Sequence, residues 1–91
     1  MADNMNGADP GDLRDLASSM IQSAEALAQI RARLSARITE ELRWYGPDAF
    51  VFRHAWMSSY APVLGRTSDM LHLAAGRLRE QAAEQERTSS V

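Results

Sequence analysis

Trp44-Tyr45-Gly46-Pro47 falls at the middle of 91 residues and divides two long stretches that each repeat apolar residues at helical spacing. Gly46 can take the positive φ that ends one helix, and Pro47, with a fixed φ and no N–H, suits the first turn of the next. The chain is therefore expected to be all-α: an antiparallel two-helix hairpin with a Trp-x-Gly turn. Two large aromatic side chains, Trp44 and Tyr45, are then left at the tip of a rod, where few intrachain neighbours can cover them.

The first helix is expected over residues 10–43, after a frayed tail of residues 1–9. Two starts are open: Asp9 as cap with Pro10 in the first helical position, or Asp12 as cap with Asp15 following. Either places acid at the positive end of the helix dipole. Leu13, Leu16, Met20, Ala24, Leu27, Ile30, Leu34, Ile38 and Leu42 then recur at steps of three and four, a coiled-coil-like stripe flanked by Ile21 and Ala28. No glycine or proline interrupts residues 12–45, so at ~1.5 Å per residue the element is about 48 Å long.

The turn is expected over 44–47, the second helix over 48–86, and a polar tail over 87–91. The second stripe reads Ala49, Phe52, Trp56, Tyr60, Val63, Thr67, Met70, Ala74 and Leu78, with Met57, Leu64, Leu71 and Leu78 as a neighbouring seam at a strict seven. Both faces are too broad for one antiparallel partner, so two hairpins are expected to dimerise into a four-helix bundle. Met20, Ile21, Leu27, Leu34, Phe52, Trp56, Met57, Leu64, Leu71 and Leu78 are the candidates for its core or dimer interface. Pro62 within the second helix removes a hydrogen bond and sets its ring against the Ser58 carbonyl. A kinked continuous helix is preferred over a break into three helices, because the apolar spacing passes through Pro62 without a change of phase. Gly76 is a candidate for a close helix approach.

Composition narrows the function. A single small domain of 91 residues with 45% hydrophobic content and no cysteine must find burial elsewhere, and oligomerisation supplies it. A net charge of −2 gives no footprint for nucleic acid, although all ten basic residues are arginine. Arg31, Arg33 and Arg37 share their helix with Glu25, Glu40 and Glu41, an ordinary mixed-sign exposed face. Residues 1–9 have neither a basic nor an apolar segment of a signal peptide, and no apolar run approaches the ~20 residues of a membrane span. No catalytic residue, metal site or cofactor site is expected. His54 and His72 lie about 27 Å apart on a helix at ~1.5 Å per residue. Adjacent Glu40 and Glu41 diverge rather than form an acid pair.

Trp44-x-Gly46, then Pro47-Asp48-Ala49, Phe52 and Trp56, resembles the WXG family of small helical hairpins exported by type VII secretion systems. The likeness runs on through Pro62, Leu64, Leu71, Leu78 and Ala83-Glu84-Gln85. It implies a non-enzymatic secretion substrate, or its companion subunit, exported as a folded homodimer or as a heterodimer with a paralogous hairpin. It also implies a type VII secretion ATPase as partner, Trp44 and Gly46 as the secretion-related motif, and secretion without a cleavable signal peptide. The family pattern places a tyrosine, followed four residues later by an acid, in the tail; residues 79–87 contain none, which suits a companion subunit. The alternatives are a cytoplasmic adaptor or chaperone for a larger toxin or substrate, and a coiled-coil scaffold unrelated to secretion.

Overall fold

In a computed structural model, which describes residues 8–41 and 43–89, the chain is a helical hairpin forming a rod of 67 × 19 × 19 Å. Helix α1 spans Pro10–Ala36 and continues into a wide π turn, Arg37–Glu41. After the turn, α2 (Pro47–Ala55), a second π turn (Trp56–Tyr60) and α3 (Ala61–Ser89) follow without interruption as one long helix. There is no strand among the described residues. Asp9 is the cap of α1: its carboxylate accepts from the Gly11 N–H at 3.2 Å, its carbonyl from the Leu13 N–H at 3.1 Å, and Pro10 takes the first turn.

Alanine, not leucine, forms the line of closest contact between the helices. The buried positions are Ala17 and Ala24 on α1 and Ala61, Ser68, Ala75 and Ala82 on α3, each set repeating at seven. Leu13, Met20 and Leu27 alternate with the first set, and Leu64, Leu71 and Leu78 with the second. Small side chains let the helix axes approach, and the leucines then flank the contact instead of filling it. They end up half-buried, and among the described residues no side chain larger than alanine is fully enclosed. Ser68, the one polar member, donates its Oγ–H to the Ala24 carbonyl at 2.9 Å, which satisfies the hydroxyl and fixes the level of the two helices. At the open end of the hairpin, Arg14 grips Glu86 through two hydrogen bonds of 2.6 and 2.5 Å. The guanidinium holds the Glu86 carboxyl below the usual carboxylate range, so the tie weakens as pH falls through that lowered value.

The second helix departs from its expected phase. Up to Trp56 the buried residues are Ala49 and Trp56, as the stripe requires. Beyond it, Tyr60, Val63, Thr67 and Met70 are exposed and the buried set is shifted one residue on. The π turn is the cause: the Ala61 N–H donates to the Trp56 carbonyl five residues back, so one extra residue enters the turn and rotates all that follows. It lies directly upstream of Pro62, where an α-helical path would drive the proline ring against the Ser58 carbonyl. The helix is thus continuous, as expected, but its apolar spacing does change phase.

Two glycines behave unlike their expectation or lack one. A Cβ on Gly76 would meet nothing within 4 Å, so Gly76 marks no close approach. A Cβ on Gly65 would strike the end of the Arg31 guanidinium, which lies across it. The second helix also runs past residue 86 to Ser89, so residues 87–89 of the expected tail are helical. Residues 1–7 of the N-terminal tail, Leu42, and residues 90–91 lie outside the described residues.

Candidate functional site: the aromatic tip

The tip is built by helix-end chemistry. Gly46 adopts φ 106°, a conformation costly for any residue with a Cβ, and its carbonyl accepts from the Phe50 N–H at 3.1 Å to start α2. Pro47 occupies the first turn, and Asp48 adds acid at the positive end of the dipole. On the other side of the turn the first helix presents carbonyls that no further helical N–H can reach. Arg53 reaches carbonyls across the hairpin: its Nε donates to the Ile38 carbonyl at 3.0 Å, and its guanidinium also donates to the Trp44 carbonyl. That clamp ties the end of one helix to the beginning of the other.

Aromatic side chains complete the arrangement. Trp44 stacks at a tilt on Phe52, with ring centroids 5.8 Å apart, and remains 36% exposed. Its neighbour Tyr45 is 82% exposed and Phe50 71%, so the tip carries a cluster of apolar surface with Trp44 held at its edge. Trp56 differs in kind. It is buried, its indole N–H donates to Ser35 Oγ at 2.9 Å, and it contacts Tyr60 with centroids 6.3 Å apart. One tryptophan anchors the hairpin and the other is displayed.

Gly46 and Trp44 therefore meet at the turn, with Phe52 against Trp44 and Trp56 about one helical turn further in. The other candidates lie along the rod. Met20, Ile21, Leu27, Leu64, Leu71 and Leu78 are half-buried beside the alanine line, while Leu34 and Met57 are exposed. Arg53 and Ser35 were not singled out by the sequence. The signal for Arg53 would have been a basic residue nearly two turns into a helix whose predecessor ends in orphan carbonyls. Ser35 offered none.

These features define a class, a helical hairpin with a displayed aromatic turn and a broad half-exposed leucine face. No family, no curated protein and no solved structure matches the chain. No helix among the described residues is long and apolar enough to cross a membrane.

Proposed function

We propose that this protein is a non-enzymatic interaction module of the WXG type: a small type VII secretion substrate or its companion subunit, exported folded as a dimer of hairpins. The observation that carries the reading is the tip, where the Arg53 clamp and the positive φ of Gly46 hold Trp44 and Tyr45 out from a rod that buries its other tryptophan. A side chain displayed this way, in a chain that buries its other tryptophan, is better used in recognition than in packing. The half-exposed leucines supply the surface on which a second hairpin would rest.

The test compares the two tryptophans. Trp44→Ala should leave helicity and dimerisation nearly unchanged while reducing the protein found in culture supernatant. Trp56→Ala should lose about 3–5 kcal/mol of stability, because it empties a buried site and strips Ser35 of its donor. Export is measured in strains with and without the secretion ATPase. Export that ignores Trp44, or that persists without the ATPase, would replace this reading with that of an intracellular adaptor built on the same hairpin.

A further inference from the structure

We propose that the groove shared by Arg31 of α1 and Arg66 of α3 is a binding site for an organic phosphate monoester, whose charged head the two guanidinium groups hold. The site lies along the rod, apart from the aromatic tip, and its existence does not depend on the export reading. Register brings its residues together. The hydrogen bond from Ser68 to the Ala24 carbonyl sets the antiparallel helices level, so that Arg31, seven residues beyond Ala24, reaches the turn at the start of α3 that holds Pro62 and Gly65. Arg31, Arg66, Ala28, Pro62, Gly65 and Asp69 border an open groove there of about 440 Å³.

Gly65 is what admits Arg31. A Cβ at that position would overlap Nη1 of Arg31 and lie 3.3 Å from its Cζ, so the guanidinium occupies space that any other residue's side chain would fill. Gly76, further along the same helix, has nothing within 4 Å of the corresponding point, so an occupied glycine is particular to the groove.

The chain leaves the charge of this groove unanswered. Among the described residues neither Arg31 nor Arg66 has an ion pair or a hydrogen-bond partner within the chain. Asp69, nearly one turn beyond Arg66 on the same rim, pairs with neither. A guanidinium presents its N–H donors as a planar fork that matches the oxygens of a phosphate or carboxylate. Two such forks match the charge of about −2 on a phosphate monoester, whereas a carboxylate answers only one of them. The groove has room beyond the phosphate, and Ala28 with the ring of Pro62 gives the organic part an apolar wall.

An NMR titration of the full chain, read at the Nε–Hε signals of its ten arginines, tests the site. Phenyl phosphate should shift the Arg31 and Arg66 signals together and to saturation. It should bind more tightly than inorganic phosphate, which lacks the organic part, and than phenylacetate, which carries a single charge. Gly65→Ala should weaken phenyl phosphate about tenfold or more, the cost of losing a charged hydrogen bond. Because its methyl group displaces only the far end of a flexible side chain, helicity and melting temperature should hold. Arg31→Gln and Arg66→Gln should each weaken binding in the same way, whereas Gly76→Ala, the same change in the same helix away from the groove, should leave it unaltered. Shifts spread over all the arginines without saturation, or Gly65→Ala binding as tightly as the wild type, would overturn the proposal. Inorganic phosphate bound as tightly as phenyl phosphate would overturn the organic ligand, and phenylacetate bound as tightly would overturn the phosphate. These results leave the export reading standing, since that depends on Trp44 and the ATPase.

Discussion

Single residues in this chain divide into those fixed by backbone geometry and those left over from it. Gly46 belongs to the first group: at φ 106° an alanine would be strained, and Gly46→Ala should destabilise by about 1–2 kcal/mol even though nothing crowds the site. Gly76 belongs to the second. It sits inside α3 with open space where a Cβ would be, so Gly76→Ala should raise stability by about 1 kcal/mol through helix propensity and reduced unfolded-state entropy. Thermal or urea melts of the two variants should move in opposite directions. Equal behaviour would mean that the turn relaxes around alanine or that α3 is frayed at Gly76. The same contrast explains which site residues were readable beforehand. Trp44 and Gly46 announce themselves because tryptophan and glycine are distinctive beside a helix end. Arg53 does not, because its carbonyl partners lie fifteen and nine residues earlier and meet it only once the hairpin has closed.

At the scale of elements, periodicity made the two helices and their junction legible, but the identity of the contact line was hidden. Alanine occurs so often in both helices that Ala17, Ala24, Ala75 and Ala82 gave no contrast against the leucines that flank them. The change of phase was hidden for another reason. A proline disturbs the turn before it, and whether that turn kinks, breaks or widens depends on the packing on either side. Here a five-residue step from Trp56 to Ala61 keeps both on the buried side. This account predicts a non-additive pair. Deleting Ser58 should turn the π turn into an α turn with Trp56 and Ala61 four apart, still on one face, but should force Pro62 into the clash that the wide turn avoids. The deletion alone should cost about 3 kcal/mol. The deletion with Pro62→Ala should recover most of that loss, as read from urea melts of the single and double variants. A double variant as weak as the deletion alone would show that the π turn has some role other than accommodating proline.

The whole molecule is a thin rod, and its thinness sets its thermodynamics. Each helix has one neighbour along one narrow line of alanines, and the leucines that would normally supply most of the hydrophobic stabilisation remain half in water. A chain of 91 residues already buries a modest fraction of its surface, and a hairpin buries less than a globule of equal length. Its fold should therefore be coupled to assembly. Because a partner that binds only the folded state stabilises it by mass action, the melting temperature should rise with protein concentration, and helicity should fall on dilution together with the dimer fraction. The measurement is circular dichroism melting over at least a hundredfold range of concentration, with sedimentation at each end of the range. Leu27→Ala and Leu71→Ala should steepen that dependence, since each removes aliphatic surface that the single hairpin only half covers and a partner would finish covering. A sharp transition independent of concentration, at the mass of one 10.1 kDa chain, would show instead that the alanine line and the clamped tip suffice to hold the rod together.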